Sequence, residues 1–402
     1  MNDDLTLNES SLPSIEHRGL LGKPGLWLER SKQVWSSLNR TQRWTAIGIF
    51  LAVVLGGGAL VWGMGRTNGF DQSSTNDLTN RNSNGLVIAN PEEPQDHLSP
   101  LTGEMITKTQ YQKLTERRPL GIIVENHPDA RPQSGLDQAD LVYETLVEGG
   151  ITRFIGVYLS QEPEVVGPVR SLRKYFADLL GGLDDPLLMY IGGAVSDNPE
   201  ANALAQVQQY GMKALGFGGS FWRVSDRFAP HNAYTSTQQL WQKAQEMGWV
   251  GPVSVVTWQY KDVIRNIEDV ATPKIQVNWD GWGANTWSVV WEFDAQKNEY
   301  KRSHLTTSHT DAISGDQLTA RNVVIVFAPQ FLANDGTARI VYEVIGDGQA
   351  QVLLDGKVID SRWIKPSRTD RFRFTDANGE EIVFNRGRTW VMVVPVGSEV
   401  IH

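Results

Sequence analysis

Residues 118–176 read RPLGIIVENHPDARPQSGLDQADLVYETLVEGGITRFIGVYLSQEPEVVGPVRSLRKYF, and the reading of the fold starts from them. Leu120 to Val124 is a short apolar run behind Pro119, bounded by the polar ENHPDARPQSG, which predicts a buried strand. Its C-terminal end delivers Glu125, Asn126 and His127 into a loop. Residues 140–148 and 151–159 predict two further strands joined at Gly149-Gly150, a tight hairpin signal. The mixture of arginines, acids, glycines and prolines around β-like runs is the composition of a cleft.

Outward from that stretch, Gly167-Pro168 leads into a predicted helix whose apolar stripe is Leu172, Phe176, Leu179 and Leu180, ended by Gly181-Gly182. Arg170 and Arg173 fall near its start, where free backbone N–H groups favour an anion. A strand over residues 186–191 and helices over 198–215 and 236–247 complete an α/β or α+β domain over residues 101–250. From 251 to 402 the pattern changes. Asp-Gly or Asn-Gly pairs recur at Asp280, Asp335, Asp347, Asp355 and Asn378 between runs such as VVIVF and WVMVV, the signature of a mostly antiparallel β domain built of hairpins. Trp258, Trp279, Trp282, Trp287 and Trp291 cluster in its first third, as packing partners or, if exposed, as stacking faces for sugars.

Towards the N-terminus, residues 1–43 are a polar tail and Trp44–Trp62 is a run of 19 residues without a charge. At about 1.5 Å per residue such a run spans the roughly 30 Å hydrocarbon core, so a single transmembrane helix is expected over 44–64. Arg30, Lys32, Arg40 and Arg43 precede it and Arg66 alone follows before Asp71, so the N-terminus is expected in the cytoplasm and the remainder outside it. Residues 65–100, rich in Asn, Ser, Asp and Pro, read as a disordered linker. The lipid bilayer is therefore the first expected partner.

A formal charge of −9 argues against a nucleic-acid partner. The chain has no cysteine, which removes disulfides, thiolate chemistry and a lipidated Cys, so attachment has to be by a peptide span. The seven histidines show no HExxH or paired-His spacing that marks zinc, and Gly216-Phe-Gly218-Gly219 opens no phosphate-binding helix, so no metal and no cofactor is expected.

The motifs SPLTGE at 99–104, RPLGIIVENHPDARPQSGL at 118–136, ADLVYETLVEGGITRF at 139–154, GPVRSLRKYF at 167–176 and APHNAYTS at 229–236 lead to a resemblance, with SRTDRFRF and GRTWVMVVP near the C-terminus. The chain from about 99 to 396 resembles the YerB-like bacterial lipoproteins, a family of unknown function with an N-terminal and a C-terminal domain. The resemblance implies an envelope-facing, two-domain protein and brings no catalytic residues with it. This chain differs in carrying a spanning segment where those members carry a lipidated Cys.

For the site, Arg131, Arg170 and Arg173 are expected to hold a phosphate or carboxylate, with Asn126, His231 and Asn232 beside them. Those guanidiniums can equally brace loops by pairing with acids. Asp140, Glu144 and Glu148 share one face of a strand or helix and can pair with the arginines or do acid–base work; Asp140, Glu144 and His231 are the catalytic candidates. The expectation is a membrane-anchored envelope protein binding an anionic, wall-glycopolymer-like ligand, or an envelope protein partner. The alternative is an envelope phosphotransferase or hydrolase acting on wall polymers.

Overall fold

A computed structural model describes residues 93–216, 219–255, 258–279 and 287–402. The expected span at Trp44–Trp62, the tail and most of the linker lie outside them. Among the described residues no helix is long and apolar enough to cross a membrane. The end of the expected linker is ordered: Gln95–Leu98 pairs antiparallel with Met105–Thr107 around a turn in which Gly103, at φ +65°, sits over the Tyr260 ring.

In chain order the strands that build the two main sheets are β1 Leu120–Glu125, β2 Leu141–Leu146, β3 Thr152–Tyr158, β4 Leu187–Met189, β5 Lys213–Ala214, β6 Lys274–Asn278, β7 Val289–Asp294 and β8 Glu299–His304. They continue with β9 Thr307–Ser308, β10 Thr319–Ala320, β11 Asn322–Ala328, β12 Gly346–Leu354, β13 Lys357–Lys365, β14 Arg373–Thr375, β15 Thr389–Pro395 and β16 Glu399–Ile401. The helices are α1 Lys108–Thr115, α2 Lys174–Leu180, α3 Ala203–Gln209 and α4 Thr237–Glu246. The fold is mostly β with few helices, less helical than an α/β layering.

Ten strands form one mixed sheet in the order β14-β13-β12-β11-β15-β2-β3-β1-β4-β5. Strands of the two halves of the chain meet inside it, where β15 runs parallel to both β11 and β2, pairing Thr389 to Val393 with Leu141 to Thr145. The reason is legible in composition: TWVMVVP is buried at every position and so is LVYETL, and such continuous runs need a neighbour on each edge and cover on both faces. The C-terminal half therefore shares its larger sheet with the N-terminal half. Its second sheet, β9-β8-β7-β6-β16 with β10 added to β8, is antiparallel as the hairpin pattern predicts.

The three strands of the 118–176 stretch appear within a residue or two of expectation. The glycine pair closes them through a 3-10 turn at Glu148–Gly150 with Gly149 and Gly150 at positive φ, a conformation that glycine alone adopts at no steric cost. The helices are shorter than expected. α2 starts at Lys174 because Arg170 and Leu172 are held extended, with Arg170 N–H on Ile123 O at 2.9 Å and Leu172 bridged to Gly193. α3 starts only after Asn202, whose side chain accepts from Ala205 N–H.

The tryptophans pack. Trp258, Trp279, Trp287 and Trp291 are buried, and Trp291 meets Trp390 edge-on at 5.4 Å. Trp282 lies outside the described residues.

Candidate functional site

Three loops meet at the C-terminal end of β1. The first follows β1 directly, the second is residues 167–173, and the third is residues 223–234. Backbone hydrogen bonds tie them: Glu125 N–H to Pro168 O at 2.9 Å, Ser134 N–H to Gly167 O at 2.8 Å and Val169 N–H to Ala233 O at 2.6 Å. Arg227 fastens the third loop to the first, donating to Ala130 O at 2.7 Å and Pro132 O at 2.9 Å.

Glu125 is the buried pivot of this platform. Its carboxylate accepts from Arg170 Nε on one oxygen and from His231 Nδ1 on the other, each at 3.0 Å. A carboxylate in that position fixes the proton on Nδ1 of His231, which leaves Nε2 as the other ring nitrogen. The His231 ring stacks on His127 at 4.8 Å, with 19° between the planes. His127 Nδ1 lies 3.5 Å from the exposed carboxylate of Asp129.

Next to this pair, Arg153 stands across from Glu125 on β3 and is 6% exposed. Its Nη1 donates to Ser171 O at 2.9 Å, and its buried Nε meets no acceptor. Burial, with the Arg173 guanidinium nearby, pulls its pKa down to about 9. Arg173 itself grips Glu148 with two nitrogens, its Nε 2.7 Å from Oε1. Burial tends to raise the Glu148 carboxyl, but the bonds from Arg173 hold it below the ordinary carboxylate range.

Arg131 turns the other way, into the protein. Its Nε donates to Asn126 Oδ1 at 3.0 Å, and its guanidinium lies 5.1 Å from the Trp287 ring. Burial and the like charge of Arg302 lower its pKa to about 10. Asn126 is a buried junction rather than a ligand-facing amide. It donates to Thr152 Oγ1 at 2.6 Å and also accepts from Gln133 Nε2 at 3.0 Å. Gln133 Oε1 accepts from His309 Nε2 at 2.7 Å, and His309 Nδ1 faces Arg302 Nη1. Arg302 completes the chain on Glu144 Oε1 at 2.7 Å, whose other oxygen accepts from Trp390 Nε1 at 3.0 Å. Burial, reinforced by Arg302, holds the His309 pKa far below its usual range, so the ring is neutral and can accept from the guanidinium.

The remaining candidates do not face the site arginines. Asp140 is buried in a turn, where Oδ2 accepts from Leu159 N–H at 2.6 Å and Ser160 N–H at 2.8 Å. Its pKa is raised by burial, and no arginine side chain contacts it. Asn232 shapes the third loop, accepting from Arg223 at 2.6 Å and donating to Val224 O at 3.0 Å. The three acids thus divide among three unrelated settings, with Glu148 alone meeting a site arginine. Arg170 is not at a helix start, and Arg173 is the residue before a seven-residue helix that the platform does not use.

The structure adds Glu125, Arg153 and the Gln133–His309–Arg302 relay to the residues that sequence singles out by chemistry. The partners lie up to 176 residues apart, a separation no local pattern encodes.

One sheet shared by two halves of a chain, with loops of the first half braced by side chains of the second, defines a two-part β protein. The chain belongs to the family described as "Protein of unknown function (DUF3048)", its N-terminal domain matching over residues 101–250 and its C-terminal domain over residues 275–391. It is 33% identical over 313 residues to YerB, a candidate lipoprotein of Bacillus subtilis (strain 168), covering 76% of this chain and 88% of that protein. The crystal structure of YerB from Bacillus subtilis superimposes with a TM-score of 0.65 at 30% identity, covering 76% of this chain and all of the other.

Proposed function

We propose that this protein is a membrane-anchored, extracytoplasmic component of the cell envelope that binds an anionic group of a wall polymer on the loop platform around Arg153, Arg170 and Arg173. The observation that carries this reading is Arg153: a buried guanidinium with no carboxylate of its own, beside two further arginines that share only Glu125 and Glu148. Arg170 is 28% exposed and spends only its Nε on Glu125, so its terminal nitrogens remain to grip a phosphate or carboxylate. The envelope address rests on the Trp44–Trp62 run and on the lipoprotein description of YerB.

Two experiments test it. A glycerol-phosphate polymer titrated into the protein at low salt is expected to bind, and Arg170→Ala to weaken it about tenfold, the loss of roughly 1.4 kcal/mol for one charge-assisted contact. Equal affinity of wild type and Arg170→Ala would sink the binding reading. A reporter fused after His402 should be active only outside the cytoplasm.

The Glu125–His231 couple supports a second reading, an envelope phosphotransferase or hydrolase with His231 Nε2 as general base. It predicts turnover of a phosphodiester polymer that His231→Gln abolishes while polymer binding persists.

A further inference from the structure

The geometry points to a divalent transition-metal site at the outer edge of the platform, formed by His127, His231 and Asp129. Ligand atoms of the three lie within 4.8 Å of one another, although His127 and His231 are 104 positions apart in the chain. Two imidazoles and one carboxylate with open positions suit Zn²⁺ or a neighbouring first-row ion, which takes nitrogen ligands at about 2.0–2.1 Å and a carboxylate oxygen at about 2.0–2.2 Å.

Three features favour a metal over a simple ring stack. The first is the buried Glu125, which accepts from His231 Nδ1 at 3.0 Å. This is the carboxylate–histidine arrangement that fixes the tautomer of metal-binding histidines and raises the basicity of the other nitrogen, here Nε2. Arg170 holds Glu125 from its other side, so the carboxylate cannot swing away. The second is charge. The imidazoles contact two carboxylates, Glu125 and Asp129, and Asp129 is paired with no guanidinium among the described residues, so a cation seated at the rings would meet an uncompensated carboxylate. The third is freedom to close. Drawing the ligand atoms onto one ion requires the widest pair to close from 4.8 Å to about 3.4 Å, the separation of tetrahedral ligands at the bond lengths above. His127 Nδ1 accepts from Asp129 N–H at 3.2 Å and holds that ring, but the Asp129 carboxylate is 72% exposed and can turn toward the two imidazoles while His231 stays fixed on Glu125.

The site stands apart from the binding reading above, which needs no metal. Were both correct, the seated cation would add its charge to that of the neighbouring arginines and its open positions would face the same anion.

The test uses full-length, untagged protein in detergent, with Zn²⁺ by calorimetry and Co²⁺ by visible absorption, and no polymer present. One equivalent is expected to bind at micromolar affinity or tighter. His127→Ala and His231→Ala should each weaken it at least about 100-fold, and Glu125→Gln about 10- to 100-fold, the range seen when the partner of a ligating histidine is removed. His97→Ala should change nothing. Zn²⁺ binding that is weaker than about 100 µM, or that is equal in wild type and the exposed-loop variant His127→Ala, would overturn the site. Because His127 lies outside the arginine cluster, loss of metal binding with polymer binding intact, or the reverse, tells the two readings apart.

Discussion

Glu144 and Arg302 have no contact with water at all. Two charges removed from solvent this completely persist only because each meets the other and further hydrogen-bonding groups, here Trp390 and His309. Arg302→Met is therefore expected to destabilise the protein by about 3–5 kcal/mol in denaturant unfolding, because Glu144 is left charged and buried. The double variant Glu144→Leu, Arg302→Met should cost clearly less than the two single changes together. Asp311 carries a second prediction. Burial, and next the nearby Asp137 carboxylate, push its pKa up to about 6. Its folded form holds a proton to higher pH than the unfolded chain does, so the folded state binds more protons between about pH 4 and pH 6. Stability then falls as pH rises through that window. Asp137→Asn should shrink the fall, read as the difference in unfolding midpoint between pH 4.5 and pH 7. At this scale the sequence identified Glu144 as a charge needing an explanation. It could not supply the partner, because Arg302 is 158 residues further along.

At the scale of elements, the strands and the start of α4 at Thr237 were legible, and the starts of α2 and α3 were not. β1, β2 and β3 are apolar enough to be read without a partner, whereas the start of α2 depends on Arg170 and Leu172 being drawn into extended bridges by other loops. Packing of α2 on the sheet sets tight limits of its own. A methyl at Gly121 on β1 would come 2.6 Å from Leu180 Cδ1, and one at Gly181 would collide with the carbonyl of Arg368. Gly121→Ala is expected to cost about 1–3 kcal/mol, since overpacking a filled core forces shifts of this size. Gly181→Ala should cost at least as much, because a backbone oxygen yields less readily than a leucine methyl. Thermal unfolding of both variants checks the order.

The whole molecule turns on β15, the C-terminal strand laid between β11 and β2. Without it β2 would expose a long apolar edge, a template for aggregation. A fragment of residues 101–250 is thus expected to be aggregated or loosely packed when made alone, with sharp amide spectra appearing only on co-expression with residues 251–402. A well-dispersed spectrum from the isolated fragment would refute the obligate pairing of halves. The sequence by itself determined which stretches are strands, that the second half is rich in antiparallel hairpins, and that arginines, histidines and acids crowd the loops after β1. These are local quantities, set by side-chain periodicity and turn chemistry within a few residues. Tertiary structure alone decided that the halves share one sheet, that Arg131 faces inward while Arg153 joins Arg170 and Arg173, and that His127 stacks on His231. Each of those is a contact between residues far apart in the chain, fixed by the register of β15 on β2 and by three loops bonded to one another, which no short window of sequence contains.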